Sequence, residues 1–145
     1  MPEAKKLTAA QISRVKQADI VRPQRTALLI SLYSGVIGGQ LINMTRQHLQ
    51  DKDGILSIRT AQYKTFVIDP GAQQEIKIYI ETIPSLNLFN FKENYYKTYL
   101  CRLSSALGFK INQSILQQTF YWLWLQKNGD LKTLSMMMGR DVDTV

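Results

Sequence analysis

The chain has 145 residues, a formal net charge of +7 and a pI near 9.6, with one cysteine and one histidine. Its length suits one domain that buries about two thirds of its unfolded surface, and its cysteine and histidine counts exclude both a disulfide framework and a self-contained zinc site. No apolar run reaches the ~18–20 residues that span a bilayer, so no membrane-spanning helix is expected. A basic surplus of this size suits a polyanionic partner, nucleic acid above all.

Helical periodicity dominates the chain. Thr8 caps a first helix that runs to about Ala18, with Leu7 before it as a hydrophobic staple. After VRPQ, residues Arg25 to Tyr33 form a strongly apolar core helix that ends at Ser34-Gly35. A short helix from about Gly38 to Asn43 follows. The period then changes: ILSIR (55–59) and YKTFVID (63–69) read as the arms of a small antiparallel hairpin, with DKDG as a turn before it and Pro70-Gly71 closing it. Its tip holds Arg59, Thr60 and Lys64. Four more helices follow, at about 72–83, 93–107, 112–127 and 130–138, with Gly108, Gly129 and Gly139 at C-cap positions. PSLNLFNF (84–91) is the least regular connection. The fold class is therefore mainly α with a small antiparallel hairpin, in one domain over residues 1–145.

Several residues read as structural. Cys101, in YYKTYLCRLSSAL, is expected to be a buried thiol, since a catalytic one wants a neighbouring base and the histidine is His48. YWLWL (121–125) is a core stripe, and Tyr95, Tyr96 and Tyr99 are half-buried helix residues. Met136, Met137 and Met138 pack between helices, with at least one of them exposed. The opening MPEAKKLTAAQ is too polar for a signal peptide, so a cytoplasmic location is expected. Paired carboxylates, metal clusters and Gly-rich phosphate loops do not occur, and no cofactor is implied.

Three motifs carry a resemblance. Ser34-Gly35-Val36-Ile37-Gly38-Gly39-Gln40-Leu41 lies on a pattern thr-gly-leu-arg-x-x-glu-leu. Ser114-Ile115-Leu116-Gln117-Gln118-Thr119-Phe120 lies on his-x-leu-arg-his-thr-phe. Gly129-Asp130-Leu131, then Met138-Gly139-Arg140, lies on gly-x-leu followed by leu-gly-his. In that order, with a hairpin between the first two, the chain resembles the catalytic domain of the tyrosine recombinases, the phage integrase family, from about Leu7 onward. The stretch between hairpin and second motif is shorter than the family's.

The resemblance implies a fold built to hold duplex DNA and a chemistry in which a tyrosine hydroxyl attacks a phosphodiester. Two arginines would clamp the non-bridging oxygens, with histidine and lysine as acid–base groups. Carried over residue by residue, the first arginine position is Ile37 and the hairpin lysine falls on Thr60. The second motif gives Ser114 for histidine, Gln117 for arginine and Gln118 for the following histidine; the third gives Arg140 for histidine or tryptophan. Gln40 replaces an acidic residue, and the nucleophile is expected about nine residues after Arg140, past Val145. The family's N-terminal core-binding domain is likewise expected to be absent. Loss of one well-placed donor costs about 3–4 kcal/mol of transition-state stabilisation, so the resemblance implies a DNA binder without strand-transferase activity. Its DNA face would gather Arg59, Lys64, Lys110, Gln117, Gln118 and Arg140, with Arg46 beside them. Three functions stay open: a DNA-binding regulator or recombination accessory of a mobile element, an interaction module docking on an active recombinase or forming a homo-oligomer, and a truncated recombinase fragment.

Overall fold

A computed structural model of the chain describes residues 6–128 and 130–138. Thr8 opens helix α1 (Ala9–Gln17) with a reciprocal capping box, its hydroxyl accepting from the amide of Gln11 and the Gln11 side chain accepting from the amide of Thr8. Helix α2 (Arg22–Ser34) starts three residues earlier than its apolar pattern, because Pro23 in the first turn pre-sets the backbone for a helix. From Thr26 to Ser34 every residue of α2 is buried, so this helix is the axis of the core. It packs against α4, α6, α3 and β3.

Helix α3 (Gly38–Ile42) and a single 3-10 turn (Arg46–His48) lead into the sheet. The expected hairpin is a three-stranded antiparallel sheet in the order β1 (Leu49–Lys52), β2 (Ile55–Arg59), β3 (Lys64–Phe66). Asp53 and Gly54, with φ of 54° and 77°, make the tight turn between β1 and β2. The strand expected over 63–69 is shorter: the amide of Ile68 leaves the sheet to bond the carbonyl of Tyr33 at 3.0 Å, closing the sheet onto α2.

Asp69 caps helix α4 (Pro70–Thr82), so Pro70 begins a helix as well as ending a strand. Helices α5 (Glu93–Leu107), α6 (Gln113–Asn128) and α7 (Leu131–Met138) complete the described fold. Gly108 caps α5 in the left-handed conformation, as expected; Gly129 and Gly139 lie outside the described residues. YWLWL is largely core, with Tyr121 and Trp124 buried. Met138 is buried and Met136 is 74% exposed, as the methionine run implied. The three tyrosines divide: Tyr96 is buried, Tyr99 half-buried and Tyr95 exposed. Cys101 departs from expectation, since it is exposed on the outer face of α5. The apolar letters around it face inward at Tyr96, Leu100 and Leu103, which leaves position 101 on the solvent side.

Candidate nucleic-acid interface

The first motif is a loop whose polar backbone is bonded from three directions. Helix α2 ends on Gly35, whose φ is +81° and whose amide bonds the carbonyl of Ser31 at 3.0 Å. A Cβ at Gly35 would lie 2.6 Å from Cδ2 of Phe120, so the position admits hydrogen alone. The Ser31 hydroxyl donates to the carbonyl of Val36 at 2.9 Å, and the Thr65 hydroxyl to that of Ser34 at 2.8 Å. From α6, Gln117 Nε2 donates to the carbonyl of Gly35 at 2.9 Å, and Gln113 Oε1 accepts from the amide of Gly38 at 2.7 Å. Helix α2, strand β3 and helix α6 thus converge on Ser34–Gly38, bringing the first and second motifs into contact.

What this loop presents is apolar. Ile37 is half-buried in extended backbone and offers no side-chain donor. Gln117 is buried, with its amide committed to Gly35. Ser114 is exposed at the start of α6, and Gln118 is half-buried one turn on. The floor of the motif therefore carries hydrogen-bonding groups without a fixed charge, a contrast with the guanidinium clamp its pattern implies.

Charge lies on the rim instead. Arg59 and Lys64 are opposite one another in the register of β2 and β3, and both are exposed. Like charges facing across strands disfavour the sheet by a few tenths of a kcal/mol up to about 1 kcal/mol. Thr60 between them is internal to the turn: its hydroxyl accepts from the amides of Gln62 and Tyr63 at 3.2 and 3.1 Å. The tip is anchored to α3 by Gln40 Nε2 donating to Gln62 Oε1 at 2.8 Å. Lys110, in the connection before α6, is exposed. Among the described residues, Arg59, Lys64 and Lys110 take part in no salt bridge.

Arg46 has backbone partners of its own. Its guanidinium donates to the carbonyls of Ile83 and Ser85, tying down the chain after α4. Arg140 lies outside the described residues. In the third motif, Asp130 caps α7 by accepting from the Thr133 hydroxyl and the amide of Lys132, and these bonds hold its carboxyl below the usual range. The residue the sequence pattern missed is Gln113, which also donates to Glu93 at 3.4 Å and so links α6, α5 and Gly38. It stands one place before the second motif, and nothing in its local sequence distinguishes it from a surface glutamine.

The architecture has close parallels among solved structures. The XerA recombinase superposes with a TM-score of 0.79 over 98% of this chain and 56% of its own, at 17% identity. The XerH site-specific recombinase bound to its difH substrate gives 0.76 over 95% and 48%, at 12% identity. A lambda integrase dimer bound to a COC′ core site gives 0.72 over 95% and 56%, at 16% identity. This is the fold of the tyrosine-recombinase catalytic domain. The chain spans about half the length of the recombinases it matches. In sequence, no family model and no curated protein matches it. No helix among the described residues is long and apolar enough to cross a membrane.

Proposed function

We propose that this recombinase-like chain binds duplex DNA without strand-transferase activity, as a regulator or recombination accessory of a mobile element. The observation that carries the reading is the pairing of Arg59 with Lys64 at an exposed hairpin tip that Gln62 fastens to α3. Two cations held together against their own repulsion suit a surface made to meet phosphates. The loss of chemistry is supported by Ile37, Thr60, Ser114 and Gln117 at the positions where the resemblance puts charged or acid–base groups. Ile37 has no donor, and the polar groups of Thr60 and Gln117 are bonded internally.

The test is a duplex-DNA titration across salt. Binding near 50 mM salt should weaken along a straight line of log affinity against log salt, with a slope of roughly −0.9 per phosphate neutralised. Arg59→Glu with Lys64→Glu should abolish it, as should Lys64→Glu with Arg140→Glu. No detectable binding by the native chain near 50 mM salt sinks the proposal. A nicked duplex should leave no covalent protein–DNA product on a denaturing gel, and its appearance would end the inactive reading.

A protein-facing role is the second reading, favoured by Met136, which is 74% exposed on α7. Lambda integrase is seen as a dimer and as a tetramer on DNA, and α7 would serve here for a second copy or a full-length recombinase. Sedimentation with and without duplex DNA distinguishes these, since a Met136→Lys change should abolish any assembly.

A further inference from the structure

A second surface suited to a polyanion runs along α1, on the flank of α6. Residues 6–18 and 109–128 contain no aspartate or glutamate, while they hold Lys6, Arg14, Lys16, Lys110 and Lys127. The two segments lie side by side and run in opposite directions. Near the start of α1 the amide of Leu7 bonds the Thr119 hydroxyl, and Lys6 Nζ stands 5.1 Å from the centre of the Trp122 ring. Near its end the Arg14 guanidinium stands 5.3 Å from the centre of the Phe109 ring. Lys16 is taken up by Asp69, and Lys127 by the carbonyl of Ile68. Lys6, Arg14 and Lys110 take part in no salt bridge among the described residues. The flank therefore keeps three cations, with no carboxylate on either segment to neutralise them.

An independent observation is that two of these cations are laid against rings. Phe109 and Trp122 are both half-buried, so each is partly open to solvent beside its cation. A duplex hides its base faces in its own stack and can use only the charge of such a surface. An unpaired strand uses both features, since its phosphates meet the cations while its bases stack on aromatic rings and on guanidinium planes. An anionic membrane or an apolar protein surface fits less well. The large apolar side chains exposed on this molecule are Val21, Ile55, Ile78, Leu86, Tyr95 and Met136, and none of them lies on either segment. We propose that the flank formed by α1 and α6 binds single-stranded nucleic acid, with Lys6, Arg14 and Lys110 on phosphates and bases stacked at Arg14–Phe109 and at Trp122. Helix α1 has 9 residues and is about 13 Å long, room for a few nucleotides. This site shares no residue with the hairpin tip on which duplex binding rests.

The test is fluorescence anisotropy with three labelled probes: an oligothymidylate dodecamer, an abasic strand with the same number of phosphates, and a duplex of the same length. Native protein should bind the oligothymidylate with a log–log salt slope of roughly −0.7 per phosphate neutralised, and the abasic strand about tenfold more weakly. Lys6→Gln with Arg14→Gln should melt at the native temperature and lose at least about tenfold on oligothymidylate, with duplex affinity within about threefold of native. Arg14→Lys keeps the charge and removes the planar guanidinium. It should hold the salt slope while narrowing the gap between oligothymidylate and abasic strand. Equal oligothymidylate affinity in native protein and the Lys6→Gln, Arg14→Gln variant overturns the proposal. So does an abasic strand that binds as tightly as the oligothymidylate, or a duplex that binds more tightly and is lost in that same variant. A native chain that binds oligothymidylate and no duplex would sink the duplex reading and leave this one standing.

Discussion

Gln117 Nε2 donates to the carbonyl oxygen of Gly35 at 2.9 Å, a buried bond between residues 82 apart in sequence. It joins the middle of α6 to the end of α2, and it is the contact by which the second motif fixes the first. Gln117→Ala would leave that carbonyl without this donor, at a cost of about 1–3 kcal/mol. Urea denaturation should show the loss with an unchanged m-value, and a variant as stable as the native chain would show that the bond contributes nothing.

Gly35→Ala should be more severe. Left-handed backbone costs a residue bearing a Cβ about 1–2 kcal/mol, and the Cβ would meet Phe120 at 2.6 Å besides. Together these amount to about 2–4 kcal/mol. Gly108 has the same backbone sign, φ +85°, with open space around its Cβ position. Gly108→Ala should therefore lose only the first part, and equal losses at the two sites would refute the steric account.

Arg59→Glu should move stability and binding in opposite directions. Opposite Lys64, glutamate turns a like-charge cross-strand pair into an attractive one, stabilising the sheet by about 0.5–1 kcal/mol at low salt. DNA affinity should fall in the same variant. A fall in both would indicate that Arg59 supports the fold itself.

The pair Arg25–Glu75 ties α2 to α4 through two bonds of 2.8 and 3.1 Å. The Arg25 guanidinium holds the Glu75 carboxyl below its ordinary value of 4.5, against a smaller opposing effect of burial. Because the folded-state pKa is depressed, the stabilisation is full above about pH 4.5 and disappears as pH falls through the lower folded value. Glu75 is 48% exposed at its side chain, so solvent screening limits the pair to about 0.5 kcal/mol. Glu75→Gln should show that deficit at pH 7, and the gap to the native chain should close as pH falls below 4.5 and through the lower folded value, in parallel denaturant titrations.

Much of the fold was legible because local chemistry and tertiary need agree. Thr8 opens a helix, and Gly35 and Gly108 each close one, where their residue type alone predicts. Strand β1 was not legible: LQDK has one apolar residue, and its pairing is set by the Asp53-Gly54 turn and by β2. Arg46 reads as a free cation in sequence, and its use on the carbonyls of Ile83 and Ser85 depends on a partner 37 and 39 residues away. The candidate site followed the same division. The motif positions named the residues at the loop, while Gln113, which holds Gly38, bonds through a fold that no short pattern encodes.

The amide of Leu7 bonds the Thr119 hydroxyl at 2.9 Å, out of reach of solvent and across 112 residues. Helix α6 is also a main partner of α2, the most buried element. A ribosome making this protein would therefore release α1, α2 and the sheet long before the helix that covers them. Such contacts of long sequence separation are slow to form, and until α6 emerges the apolar face of α2 is exposed to chaperones and to other nascent chains. Synthesis order thus places the folding hazard of this protein in the interval between translation of Tyr33 and translation of Trp124.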